Sequence, residues 1–194
     1  MPVSLSTGGA DLRGLRRLAR EYPAKVVRPA MVRTVNELTR NATVEARKQV
    51  RKERRLKARD IKNTFRIKKA VARDPNAVIT ALRIPIPLAR YGPRQTKRGV
   101  TYNATGKREL WRPKPGHSKS FLVPKGAGKA GGHVFTRKPG SKRLPIEKAF
   151  GPPVWTRFAE EEVQKALNSL LDSRAEVVFD RNFRFYARRA GFLP

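Results

Sequence analysis

The sequence predicts an α+β fold: a long N-terminal helix or helical hairpin and a long C-terminal helix packed on a small, mainly antiparallel β-sheet with extended basic loops. Three observations predict it. Apolar residues recur at steps of three and four near both ends of the chain. Between those ends, β-branched and aromatic runs are separated by Gly and Pro, as strands and their turns are. Finally, 45 Lys and Arg against 15 Asp and Glu, a net charge of +30 in 194 residues, crowd mostly into the middle. The expected organisation is an N-terminal arm or short helix at 1–22 and a single domain at 23–194. Within that domain, 23–73 reads as helical, 76–150 as sheet and loops, and 156–190 as the C-terminal helix.

Leu12, Leu15, Leu18 and Ala19 share one face, which predicts a short amphipathic helix at 10–22, weakened by Gly14 and ended or kinked by Pro23. Beyond Pro29, which fits a first-turn position, Met31, Val35, Leu38, Ala42, Ala46 and Val50 form one face of a helix of about six turns. A core face is preferred to an oligomer face for this stripe. From Lys48 to Lys69 the chain is dense in Lys and Arg, yet Leu56, Ile61, Phe65 and Ile67 extend the helical reading, with a turn near Lys57–Asp60. Asp74-Pro75-Asn76 breaks the helix.

Residues 77–84 read as a strand, and Pro85 and Pro87 restrict the next residues to an edge or an extended linker. Strand candidates come after it at Gly99–Asn103 and Arg108–Arg112, then a flexible Gly/Lys loop between Lys114 and Gly132. The stretch Gly131–Trp155 reads as a corner where a sheet hands the chain to a helix, with Leu144, Pro145 and Ile146 anchored in the core. Thr156 is placed to cap the final helix, and Glu160, Glu161 and Glu162 complement its positive end. Val163, Leu167, Leu171, Ala175 and Val178 form its apolar face, followed by Phe179, Phe183, Phe185 and Tyr186, and a break near Asp180–Asn182 is left open.

The charge is uneven: +5 over residues 1–44, +9 over 45–74, +15 over 75–146 with Glu109 the one carboxylate, and +1 over 147–194. So basic a body seeks polyanions, and nucleic acid is the default partner. With no cysteine there is no disulfide and no thiolate metal site. No apolar run is long enough for a membrane span, and the N-terminal residues lack the layout of a signal peptide, so no membrane is expected.

Gly126-Ala127-Gly128-Lys129 is not a nucleotide-binding loop, because Ala130 stands where a hydroxyl would hold Mg²⁺ and no helix comes next. His117 and His133 are the only histidines, and neither is near a nucleophile or ligand in sequence. No paired-carboxylate or His-Glu-x-x-His arrangement is present, so no enzyme, catalytic residue, metal or cofactor is expected.

His133-Val134-Phe135-Thr136-Arg137, a basic turn, Leu144-Pro145-Ile146-Glu147, and Phe150-Gly151-Pro152-Pro153-Val154 resemble the signature of the prophage minor tail protein Z family. These are tail completion proteins of lambda-like long-tailed phages. Val134, Phe135, Arg137, Leu144, Pro145, Ile146, Gly151, Pro152 and Pro153 carry the motif. Val32 to Asn36, Ala46-Arg47 and the basic Ile61–Ile67 region are similar to that family too. The resemblance implies a structural virion protein added late in tail assembly at the head-proximal end, the neck, and located in the host cytoplasm during assembly. Its implied partners are further copies in a sixfold ring, a tail terminator or tail tube protein, head–tail connector proteins, and double-stranded DNA held by its phosphates.

A ring around duplex DNA should be basic and should contact phosphates without reading bases. The expected DNA-facing set is Arg47, Lys48, Arg51, Lys52, Arg54, Arg55, Arg66, Lys68 and Lys69, with the 88–143 loops bridging subunits. The competing reading is a free cytoplasmic nucleic-acid-binding protein of ribosomal or nucleoid type. Such a protein has no need of the Leu-Pro-Ile to Gly-Pro-Pro corner or of a long, nearly neutral helix.

Overall fold

A computed structural model describes residues 21–54, 56–140 and 142–194, without the side chains of Glu53 and Arg54. Residues 10–20 of the helix expected at 10–22 and the position of Arg55 lie outside the described residues. The elements are α1 (Ala24–Arg54), α2 (Ala58–Ile61), β1 (Phe65–Lys68), β2 (Val78–Ala81), β3 (Arg94–Thr96), β4 (Gly99–Asn103), β5 (Arg108–Leu110), β6 (Phe121–Leu122), β7 (Val134–Arg137), β8 (Ile146–Lys148), α3 (Val154–Phe158) and α4 (Glu161–Arg189). The chain is α+β, with two long helices and small antiparallel sheets.

Packing divides it into two compact units. One takes the residues up to Arg47, Phe65–Leu82 and Phe158–Pro194; the other takes Lys48–Thr64 and Arg83–Arg157.

In the first unit, α1 starts five residues before Pro29, which therefore lies inside the helix and not in its first turn. The Pro23 carbonyl receives the N–H groups of Val26 and Val27 at 2.8 and 3.3 Å, so Pro23 opens α1. An interior proline costs about 3 kcal/mol. The burial of Val26, Val27 and Ala30 against Phe183 and Ala187 of α4 offsets it, at roughly 1.5–3 kcal/mol per valine. Leu38, Ala42, Ala46 and Val50 are buried, as the core reading of the stripe requires. Thr39 and Thr43, also buried, donate to the carbonyls of Val35 and Thr39 at 2.7 Å each.

The helical reading does not extend to Phe65–Lys68. This segment is β1, paired antiparallel with β2 from Phe65↔Ala81 to Lys68↔Val78. Phe65 is β-prone and buried, and β2 offers it a ladder that a helix would forgo. Its ring meets Phe158 edge-on at 5.4 Å. Asn36 of α1 fixes the chain just beyond β1: its amide donates to the Ala70 carbonyl at 2.9 Å and accepts the Ala70 N–H at 2.8 Å.

Thr156 does not cap the last helix. It sits inside α3 and donates to Pro153 O at 2.8 Å, while the helical conformation is interrupted at Ala159–Glu160 before α4 begins. Glu160 is the N-cap, and Gln164 donates to Phe158 O at 2.5 Å. From there α4 runs without a break to Arg189. At Asp180–Asn182 it stays helical, and buried Asn182 donates to Thr34 at 3.1 Å.

In the second unit the sheets are β3-β4-β5 and β6-β7-β8, all neighbours antiparallel. Ser120 and Gln95 lace them together, Ser120 accepting the Val100 N–H at 2.9 Å and Gln95 the Leu122 N–H at 2.8 Å. The segment expected to form an edge or linker at Pro85–Pro87 lies beside residues 149–151. Leu88 N–H donates to Ala149 O, and Gly151 N–H donates to Ile86 O. The Gly/Lys loop before β7 is closed on itself by bonds such as Ala127 N–H to Pro124 O and Gly131 N–H to Gly128 O, at 3.1 Å each. Gly131 lies so near the Lys125 carbonyl that a side chain there would overlap it. Internal hydrogen bonding thus replaces the flexibility expected of this loop.

Candidate nucleic-acid interface

The expected DNA-facing residues fall into two sets. Lys48, Arg51 and Lys52 are exposed at steps of three and four on the C-terminal part of α1, so one helical face presents three cations in the second unit. Arg54 closes the same helix.

Arg47, Arg66, Lys68 and Lys69 belong to the first unit. Arg47 is half-buried, its guanidinium 5.9 Å from the Phe65 ring centroid. Arg66 and Lys68 alternate on β1 and so share one side of the strand. Lys68 is committed to Asp74 at 3.0 Å. That hydrogen bond, reinforced by the backbone and side chain of Asn76, holds the Asp74 carboxyl below the usual carboxylate range. Lys69 is exposed immediately after the strand.

A cluster on α4 did not emerge from the sequence as a surface. Arg181, Arg184, Phe185, Arg188 and Arg189 line one shallow groove, and Arg33 of α1 lies 4.8 Å over the Phe185 ring. Phe185 is 46% exposed, so the ring holds a guanidinium at the surface without entering the core.

Two of these arginines are partly neutralised. Arg181 pairs with Glu37, and Arg184 lies 2.9 Å from Asp180. Arg188 and Arg189 have no carboxylate partner among the described residues. The signal was present as steps of three, four and one from Arg181 to Arg189. The near-neutral net charge of 147–194 conceals it, because the carboxylates Glu160–Glu162 gather at the opposite end of α4.

The family-motif residues serve the second unit in different ways. Val134 is buried in β7, and Phe135 faces Phe121 at 6.2 Å. Arg137 lies 4.6 Å over the Phe121 ring. The Tyr91 ring lies so close over Gly151 that any side chain there would overlap it, and its hydroxyl donates to Pro152 O at 2.6 Å. Pro153 supplies the carbonyl that receives Thr156.

Leu144, Pro145 and Ile146 do not anchor the core. Leu144 is 69% exposed, Ile146 36%, and Pro145 is exposed as well. Ile146 is on β8, an outer strand of its sheet, and Leu144 lies just before that strand.

His117 Nε2 lies 3.3 Å from Glu147, whose other oxygen is 3.5 Å from Lys138. Burial raises the Glu147 carboxyl, but these two bonds outweigh it and the carboxyl stays below its ordinary range. Burial, with Lys148 and Arg90 near, pushes His133 down, so it is neutral at pH 7. Among the described residues no three His, Asp or Glu side chains converge in a way that could hold a metal ion, and no helix is long and apolar enough to cross a membrane.

The family model described as prophage minor tail protein Z (GPZ) matches residues 10–189. No curated protein and no solved structure matches the chain.

Proposed function

The chain belongs to the prophage minor tail protein Z family and is a structural protein of a phage tail, and from that premise we propose that it completes the head-proximal end of the tail, as a ring around the DNA channel. In this reading it sits at the neck, between a tail terminator or tail tube protein and the head–tail connector. It touches DNA only through phosphates.

The observation that carries the reading is the net charge of +24 over residues 45–146 in a tail protein. Cations neutralise phosphates without discriminating bases, which suits a channel through which any sequence must pass. The exposed set Lys48, Arg51 and Lys52, and the arginine groove of α4, are the surfaces assigned to that contact.

The test joins binding to assembly. On random duplex DNA, the logarithm of affinity should fall linearly with the logarithm of salt concentration, with a slope of about 0.9 per phosphate neutralised. Reversing Lys48, Arg51 and Lys52 together to Glu should flatten that slope and reduce infectious particles while the protein stays folded. Wild-type titres and an unchanged slope would sink the DNA-facing assignment. A monomer that binds DNA or RNA tightly but never enters tails would instead favour a free nucleic-acid-binding protein.

A further inference from the structure

We propose that the Leu144-Pro145-Ile146 segment of one copy docks in the cleft between β5 and the Phe150–Pro152 corner of the next copy. The inference rests on the ring reading above and names the contact that would build the ring.

The segment is three consecutive apolar residues turned outward directly after exposed Lys142 and Arg143. Burying them on a partner returns the free energy that exposure forgoes.

The cleft is the complementary feature. Its volume is about 580 Å³, and Tyr102, Leu110, Trp111, Phe150 and Pro152 are among the residues that line it. Leu110 and Phe150, 40% and 41% exposed, present apolar walls. Its floor is braced: the Trp111 indole N–H donates to Phe150 O at 3.0 Å, and Tyr91 is locked over Gly151 by its bond to Pro152 O. Such a floor costs little to order when a partner docks. Leu144, Pro145 and Ile146 are not part of the lining.

Charge identifies a second copy as the occupant. Glu109, the one carboxylate among sixteen Lys and Arg in residues 75–146, stands in the cleft wall. It is positioned by the Tyr102 hydroxyl at 3.1 Å and the Thr105 hydroxyl at 3.3 Å. Arg112 shares the cleft, so the site is locally balanced where the rest of that stretch is cationic. A basic partner can approach there without meeting only like charge, and Lys142 and Arg143 flank the apolar segment that would enter. Glu147, next to the apolar segment in sequence, is already engaged by His117 and Lys138. Because projection and cleft are different surfaces of one chain, the contact repeats head to tail, which is what a ring requires.

The chain contains no cysteine, so cross-linking can be placed at will. Leu144→Cys protein is mixed with a size-tagged Leu110→Cys protein under mild oxidation, both positions being exposed enough to change without disturbing the fold. The expected result is a disulfide heterodimer in several-fold excess over either homodimer. Replacing the first partner with Val177→Cys, on the exposed face of α4, should lose that excess. Arg143→Glu should weaken the cross-link, and adding Glu109→Lys to the tagged partner should restore it.

A heterodimer no more abundant than the homodimers overturns the proposal, as does equal cross-linking from position 177. Sizing of the wild-type protein reads the ring separately. A wild-type multimer without the selective cross-link keeps the ring and removes this contact. A wild-type monomer with the selective cross-link keeps the contact and removes the closed ring. If the cross-link fails while Leu110→Asp still blocks entry into tails, the cleft belongs to another tail protein and the proposal falls.

Discussion

Asn36 satisfies both backbone groups of Ala70 from a helix 34 positions away in sequence, which makes it the most informative single side chain in the first unit. Asn36→Ala leaves that N–H and carbonyl without their partner, and unpaired groups of this kind cost about 1–3 kcal/mol each when buried. Since Asn36 is only part-buried, a loss of about 2 kcal/mol in denaturant unfolding is expected. In the second unit Gly151 has the comparable role. Gly151→Ala drives a methyl into the Tyr91 ring, and overpacking of this sort typically costs about 1–3 kcal/mol, to be read from the same experiment. Glu37 contributes to the pH dependence. The hydrogen bond from Arg181 lowers its pKa, burial opposes that, and the charges of Arg181 and Arg33 add to the lowering. A depressed folded-state pKa means the contribution is fully present above the unfolded value, about 4.3, and is lost as pH falls through the folded one. Stability should therefore decline on acidification below about pH 5, and Glu37→Gln should flatten part of that decline.

At the scale of elements, α4 is near neutral in sum yet strongly polarised along its length. Glu160, Glu161 and Glu162 stand at its N-terminal end and Arg181, Arg184, Arg188 and Arg189 toward its C-terminal end, with the Glu set and the last-turn Arg188 and Arg189 favoured by the helix dipole. Dipole complementarity explains Arg188 and Arg189 but does not explain why Arg33 of another helix joins them over Phe185. Reversing Arg184, Arg188 and Arg189 to Glu should cut affinity for random duplex DNA and reduce its salt slope by about 2–3 units, at roughly 0.9 for each phosphate no longer neutralised. An unchanged far-ultraviolet circular dichroism spectrum would tie the loss to the surface. Equal affinity at low and high salt in that variant and in the wild type would remove this groove from the DNA-contacting set. In α1, Pro29 shows that burial can outweigh a local preference, because two valines on the first turn gain a partner in α4.

For the whole molecule, the net charge of +30 sets the balance. Like charges at this density oppose compaction, and salt screens them over a Debye length of about 8 Å at physiological ionic strength. The thermal midpoint should rise from low salt to about 0.15 M, the opposite of what a surface dominated by ion pairs would give. Scanning calorimetry at the two salt concentrations measures it. Duplex DNA or neighbouring subunits with exposed carboxylates should have the same effect as salt.

The elements were legible where their cause is local. Helical spacing located the stripe of α1 and the apolar face of α4, and β-branched runs between turn residues located β2 and β4. The motif from His133 to Val154 carried the family. Reading failed where a distant partner decides. Phe65–Lys68 is a strand because β2 is there to pair with it. Thr156 is not at the N-cap, a position Glu160 holds without a side-chain capping bond, because the helix breaks after Phe158, a break Gln164 bridges by holding the Phe158 carbonyl. The α4 groove was hidden because opposite charges at the two ends of one helix cancel in any sum. By itself the sequence determined the α+β class, the family and the basic body, all of which depend on residue type and near-neighbour order. Tertiary structure alone decided that Leu144-Pro145-Ile146 faces outward while Val134 faces in. The two are equally apolar in sequence, and only the layers around β7 and β8 separate a core residue from a projecting one.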